Sequence, residues 1–386
     1  MSLDDDARAR LDALDRDGLL RAPPEVTSRQ GPTVRIDDRD VLCLCANNYL
    51  GLADHPALRD ACHDALDAVG TGAGASRLIS GTMSPHRAAE QALAQFVGSP
   101  AALLFSTGYA ANLGVLPGLW EAGDVLFSDA LNHASLIDGC RLSRARVHVF
   151  PHRDLDALAR LLADHRTDGK RAVIVTESLF SMDGDQADLP SLRKLADDYD
   201  AALYVDEAHA LGVFGPRGAG LCAQAGVVPD VLIGTLGKAF GLAGAFIAAS
   251  EPIVRLLENR ARSYVFSSAP SPAIAAATVT ATQLVREADD RRSSLLAHAA
   301  RLRTDLRALG FDVPDGRSPI LPIHIGDPAA TVALARALLD RGVFVQAIRP
   351  PTVPVGTSRL RVVPMATHTH AHITHALDAF AATRHR

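Results

Sequence analysis

Gly234-Thr235-Leu236-Gly237-Lys238-Ala239-Phe240-Gly241 is the stretch whose reading decides the fold. It follows the apolar run Val231-Leu232-Ile233 and lies downstream of Asp206-Glu207-Ala208-His209. A lysine in a small-residue loop after a strand can approach a ligand closely. Asp206 directly follows Ala202-Leu203-Tyr204-Val205, so it is expected at the end of an earlier strand. In an open α/β sheet, ligands collect at the carboxyl ends of the strands, where these two side chains would meet.

Working outward, short apolar runs recur at Ala102–Phe105, Val125–Phe127, Val147–Phe150, Ala172–Val175, Ala202–Val205, Val231–Ile233 and Gly244–Ala248. Runs this apolar predict strands covered on both faces, hence a mostly parallel sheet. Segments of helical period separate them, which is the alternation of a doubly wound α/β domain. Upstream, residues 3–21 read as a charged helix ended by Pro23-Pro24, and Val41–Cys45 reads as a strand. Downstream, a long Ala- and Arg-rich helical stretch opens a smaller α+β unit. Its strands are predicted at Ile320–Ile325, Val343–Val345 and Arg359–Val363, with a last helix over 369–383. The expected organisation is a helical segment over 1–40, a large domain over 41–275 and a small C-terminal domain over 276–386.

Bulk properties exclude several classes. At 386 residues, with 48% hydrophobic and 22% charged residues, the chain has the composition of a soluble globular enzyme. A net charge of -5 leaves no basic footprint for nucleic acid. No apolar run approaches the ~20 residues of a membrane helix. The acidic start Met1–Asp6 argues against a signal peptide, and five scattered cysteines suit a reducing cytoplasm. Cys43 and Cys45 share one face of a predicted strand and read as core. Of His368, His370, His372 and His375, three (368, 372 and 375) share a helical face; a solvated face is the default reading and metal binding the lesser alternative, so no metal is expected.

The chemistry-bearing residues converge on one cofactor. A lysine for a Schiff base and a carboxylate for a pyridinium nitrogen are what pyridoxal phosphate requires. Asp206 alone reads better as a helix cap; Lys238 after the next strand reverses that in favour of the cofactor. His209 either donates to the phenolic oxygen or is a structural histidine. Thr107-Gly108-Tyr109 opens a helix after a strand, where free N–H groups bind phosphate, although turn chemistry also explains the glycine. Thr235 adds a hydroxyl from the lysine loop. His133, after Val125–Phe127, is placed to stack on the ring, and Ser181 follows the strand Ala172–Val175. Gly70-Thr71-Gly72-Ala73-Gly74 has the look of a dinucleotide fingerprint, but the segment before it is helical, so a flexible loop is the better reading.

Asn47–Leu52, Gly72–Arg77, Asn132–Ser135, Asp206–His209 and Thr235–Lys238, in that order, resemble the α-oxoamine synthases, fold-type I pyridoxal phosphate enzymes. Ile348–Pro354 and Gly356–Arg361 are most similar to the branch that joins L-alanine to a pimeloyl thioester in biotin synthesis. The resemblance implies Lys238 as the cofactor-bearing lysine, Asp206 on the pyridine nitrogen, His209 on the phenolic oxygen and His133 on the ring face, all four catalytic. It implies Gly108, Tyr109, Ser181 and Thr235 as further cofactor contacts. Ser267 and Ser268 match a segment that reaches a neighbouring subunit's phosphate, which implies a homodimer with shared active sites. Arg361 would take the amino-acid carboxylate, with Asn47 also at the substrate, and Thr352 would lie near the acyl chain. The family places an arginine directly after a Gly/Ala-Leu pair. Here Gly18-Leu19 is followed by Leu20 and then Arg21, so Arg21 serves either the acyl chain or an ordinary charged surface. Other readings are a sibling synthase using glycine with a shorter acyl thioester, an aminotransferase, and a non-catalytic scaffold.

Overall fold

A computed structural model describes residues 2–384. The chain divides into two compact units, each described by itself. The larger spans Leu50–Ser181 and Asp185–Arg292; the smaller comprises residues 2–49, Met182–Gly184 and the chain from Ser293 onward.

The larger unit is built on a seven-stranded sheet. Its order is Ala101–Phe105, Ala245–Ala249, Val231–Thr235, Ala202–Asp206, Ala172–Glu177, Val125–Asp129 and Arg146–Phe150. All neighbours pair in parallel except Ala245–Ala249, which runs antiparallel to the strand on each side. Each predicted run lies within or one residue from a strand. Val125–Asp129, Ala172–Glu177, Val231–Thr235 and Ala245–Ala249 are buried at every position, as strands with both faces covered must be. Leu103, Val115, Leu126, Val173, Tyr204 and Ile247 anchor one core. Thr107, Asp154 and Asp188 cap the helices that follow, each side chain accepting an N–H from the first turn.

The smaller unit holds two three-stranded sheets. Thr33–Ile36 and Arg39–Cys43 form a hairpin, and Val343–Phe344 adds to it in parallel. Leu321–Gly326 and Gln346–Ile348 flank Ser358–Val362, both antiparallel. Leu302, Leu306, Ile323, Leu360 and Phe380 fill the core between these strands and the helices Asp289–Ala308 and His370–Arg384.

Three expectations shift. The N-terminal helix is Leu3–Arg16, not 3–21, because Gly18 turns the chain at φ +64°. The segment up to Tyr49 groups with the C-terminal strands, since Arg39–Cys43 pairs with Val343–Phe344. The Ala/Arg-rich stretch after 275 is two helices, Pro272–Arg286 and Asp289–Ala308, and the first belongs to the larger unit.

Candidate active site

Parallel neighbours end at one edge, and that edge carries the candidate residues of the larger unit other than Ser267 and Ser268. Asp206 closes its strand, opposite Glu177 on one side and Ile233 on the other. A turn follows it, not a helix, so this carboxylate is no helix cap. Its Oδ1 accepts the Ala208 N–H at 2.9 Å, and its Oδ2 accepts from Asn112 Nδ2 at 2.9 Å.

Asn112 links Asp206 to His133. The Tyr204 hydroxyl donates to Asn112 Oδ1 at 2.6 Å, which turns the amide nitrogen toward Asp206 and toward Ser135 Oγ at 2.9 Å. Ser135 Oγ lies 2.8 Å from His133 Nδ1, and the Ser135 N–H donates to the same nitrogen at 3.2 Å. Nδ1 is therefore an acceptor, and the ring proton belongs on Nε2. Burial holds this imidazole below its usual range; Asp206 opposes that and Lys238 adds to it. A neutral ring is the form suited to stacking on a flat aromatic cofactor.

The His133 N–H donates to Glu177 Oε1 at 2.7 Å. Glu177 is buried, and burial with repulsion from Asp206 pushes its carboxyl up to about 8, against the pull of Lys238. Glu177, Asp206, His133 and Lys238 thus act on one another at one strand edge.

The lysine loop is closed on itself. Thr235 Oγ1 donates to the Gly244 carbonyl at 3.1 Å and accepts the Gly237 N–H at 3.3 Å. Leu236 N–H donates to Gly244 O, and Leu242 N–H to Leu236 O, both at 2.9 Å. Gly241 sits at φ +69°, and a Cβ there would meet the Leu52 carbonyl carbon at 2.5 Å, so only glycine turns the chain here. Lys238 itself is half-buried. His209 is buried in the turn after Asp206, and Ser181 is buried beyond the end of Ala172–Glu177.

Gly108 opens the helix Gly108–Leu119, where the first N–H groups have no intrahelical acceptor. A Cβ on Gly108 would meet nothing within 4 Å, so no protein neighbour demands the glycine and the space beside it is open. Tyr109 is exposed; its hydroxyl donates to Asp138 and its ring lies edge-on to His133 at 6.4 Å. Ser267 and Ser268 follow the short helix Arg262–Val265. Ser268 pairs antiparallel with Ser76, beside exposed Phe266, Leu78 and Ile79.

The other candidates lie in the smaller unit. Arg361 is buried on Ser358–Val362, and its Nη1 donates to Asn47 Oδ1 at 3.0 Å. Arg359, two residues earlier and also buried, is committed to an ion pair with Asp183. The Arg21 guanidinium donates to Thr352 Oγ1 at 3.1 Å, and Arg349 donates to the carbonyls of Gly18 and Leu20. These bonds join the N-terminal segment to the 349–352 loop, which puts Arg21 and Thr352 together.

The sequence reading passed over Asn112 and Glu177. Asn112 had a signal: one polar side chain on the buried face of an otherwise apolar helix. His370 and His375 are exposed and His372 is half-buried on the last helix, as a solvated face requires, but His368 is not part of that face. His368 precedes the helix, is buried, and its Nδ1 accepts the Met365 N–H at 2.8 Å. The glycine-rich stretch at 70–74 follows the helix Pro56–Val69 and precedes bends, not a strand–turn–helix unit.

Residues 39–380 match the family model for aminotransferase class I and II. The chain is 49% identical over 375 residues to 8-amino-7-oxononanoate synthase of Geobacter sulfurreducens, covering 96% of each. Among solved structures, it overlays on SPT with PLP at a TM-score of 0.93 and 32% identity, covering 99% of this chain and 97% of that one. It overlays on 8-amino-7-oxononanoate synthase from Francisella tularensis at 0.77 and 28% identity, covering 89% of this chain and 98% of that one.

Proposed function

The chain belongs to the aminotransferase class I and II family, and we propose that it joins L-alanine to a pimeloyl thioester, yielding 8-amino-7-oxononanoate, carbon dioxide and a free thiol in biotin synthesis. The protein is a pyridoxal phosphate-dependent transferase. One observation carries the choice of substrate: near-full-length identity of 49% to an enzyme of that name. Closer overlay on SPT supports the shared fold but not its substrate, because identity there is 32%.

The residues fit the cofactor. The open space beside Gly108 at a helix start suits a phosphate approaching main-chain N–H groups, with Tyr109 and Thr235 as further contacts to the cofactor. A lysine and a buried carboxylate at one strand edge suit an aldehyde and a pyridine nitrogen. When bound, the cofactor supplies an electron sink for a carbanion at the amino-acid Cα.

The protein's own groups do the rest. Lys238 anchors the cofactor and then moves the α-proton as general base. Asp206, held by Asn112 and the Ala208 N–H, keeps the pyridine nitrogen protonated. His133 would lie against the ring as a neutral imidazole, His209 would hold the phenolic oxygen, and Ser181 would add a polar contact. Arg361, steadied by Asn47, takes the alanine carboxylate as a charge-assisted pair. Arg21 and Thr352 receive the far end of the acyl chain. Ser267 and Ser268, on a strip with exposed Phe266, would reach the cofactor phosphate of a second copy in a homodimer. We place the enzyme in the cytoplasm, where five free cysteines remain reduced; among the described residues no helix is long and apolar enough to cross a membrane.

The test is a matrix of kcat/KM values for alanine, glycine and serine against pimeloyl, succinyl and acetyl thioesters, each on coenzyme A and on a carrier protein. Alanine with pimeloyl should lead. A lead for glycine with a short acyl group would move the protein to a sibling synthase. Keto-acid exchange without condensation would make it an aminotransferase, and a colourless protein that takes up no cofactor would make it a scaffold.

A further inference from the structure

Three residues of the larger unit converge away from the lysine loop. His148 lies on the edge strand Arg146–Phe150, His165 ends the helix Leu155–His165, and Asp168 ends the turn Arg166–Asp168. One potential ligand atom from each lies within 4.8 Å of the others. The two imidazoles stack at 4.1 Å with planes 15° apart, and Phe127 stacks on His148 at 5.6 Å. His165 Nδ1 is 3.0 Å from Asp168 Oδ2.

His148 Nε2 is shut off from solvent, and among the described residues it has no hydrogen-bond partner. Buried polar atoms without partners are rare in native proteins, and a bound ion is one of the few explanations. The neighbours of this histidine are a second imidazole and a carboxylate.

We propose that His148, His165 and Asp168 bind a borderline divalent cation of the Zn2+ class, with water completing the shell. Two imidazoles and one carboxylate suit Zn2+, Cu2+ or Ni2+, whereas Mg2+ and Ca2+ prefer oxygen-only sets. Binding turns the stacked rings edge-on to a common point. Arg146 now holds Asp168 Oδ2 at 2.6 Å, but its side chain is 61% exposed and free to swing outward. Asp168 leads into Ala172–Glu177 from its amino end, whereas Asp206 and Glu177 close their strands at the carboxyl edge. The ion therefore ties the edge strand, a helix end and a turn together, and takes no part in the condensation.

The experiment uses the full-length, cofactor-loaded enzyme. Zn2+ is titrated against a chromogenic chelator, and the visible spectrum of the Co2+ form is recorded. Wild type should take up one equivalent more than His148→Ala and Asp168→Asn, each variant binding at least ~10-fold more weakly. The Co2+ band should vanish in both variants and persist in His372→Ala, which controls for the histidines of the smaller unit. Zn2+ should raise the Tm of wild type but not of Asp168→Asn. Equal uptake by wild type and Asp168→Asn, or no uptake by wild type, overturns the proposal. Asp168 is exposed, so its variant gives the answer even if His148→Ala does not fold.

Discussion

Asn112 Nδ2 lies 2.9 Å from Asp206 Oδ2 and also 2.9 Å from Ser135 Oγ. One amide thus orients the carboxylate we propose for the pyridine nitrogen and, through Ser135, fixes the tautomer of His133. The Tyr204 hydroxyl holds that amide from behind.

Asn112→Ala should therefore weaken cofactor binding without unfolding the protein. A hydrogen bond to a charged group contributes about 1.5–3 kcal/mol, so roughly a 10- to 150-fold rise in the cofactor Kd is expected. Asn112→Asp should be worse, because it sets a second carboxylate against Asp206. Equal cofactor affinity in wild type and both variants would remove Asn112 from the site.

Lys238→Ala should lose both covalent attachment of the cofactor and turnover. Borohydride treatment of the wild type followed by peptide mapping should mark Lys238. A mark on Lys170 or Lys194 instead would break the assignment that the loop geometry supports.

Arg361 and Arg359 share a strand face, and their partners separate their roles. Arg361→Ala should raise the KM for alanine roughly 10- to 150-fold, the value of a charge-assisted hydrogen bond. Arg359→Ala should instead lower stability by about 3 kcal/mol, since it leaves Asp183 without its buried cation. Chemical denaturation and alanine titration of both variants decide this. The reverse pattern would shift the carboxylate site by two residues.

Much of this was legible in the chain. Strands buried on both faces announce themselves as apolar runs, and each predicted strand of the large sheet was recovered. Lys238 and Asp206 were legible because both follow such runs, and chain order alone sends them to one edge. The end of the first helix was not, because Gly18 stops it before Pro23 acts. Thr33–Ile36 carries too few apolar residues to stand out. Arg359 and Arg361 alternate identically in sequence, and only their partners, Asp183 and Asn47, distinguish them. His368 reads as surface by spacing, but it lies before the helix and points into the unit.

His152 offers a stability test with a defined sign. Nδ1 lies 2.9 Å from Asp129 and Nε2 lies 2.8 Å from Asp185, so both nitrogens donate in the charged form. Burial works against that charge, but the two carboxylates hold its pKa up to about 9. The folded value lies above the unfolded one near 6.5, so the stabilisation is complete below that pH and lost as pH rises through the folded value. His152→Gln should cost on the order of 2 kcal/mol at pH 6. The gap to wild type should close by about pH 10. A gap that stays constant over this range would mean the two ion pairs contribute nothing.

Glu177 tests the opposite situation, a buried acid that resists its charge. Its carboxyl rises from 4.5 to about 8 through burial and the nearby Asp206. A folded pKa above the unfolded one gives stability that is complete below the unfolded value and lost as pH rises through the folded one. Glu177→Gln keeps an oxygen for the His133 N–H and removes the titration. Relative to wild type, the variant should therefore gain stability steadily from about pH 5 to pH 8 and level off above it, by on the order of 1–3 kcal/mol. Glu177→Ala, which loses the acceptor as well, should not show that gain and should also loosen His133, seen as a shift in the cofactor absorbance. Urea denaturation of all three proteins at pH 5, 6.5 and 8 makes the comparison. Parallel stability curves for wild type and Glu177→Gln would show that this carboxyl is ionised at neutral pH and that Lys238 outweighs burial.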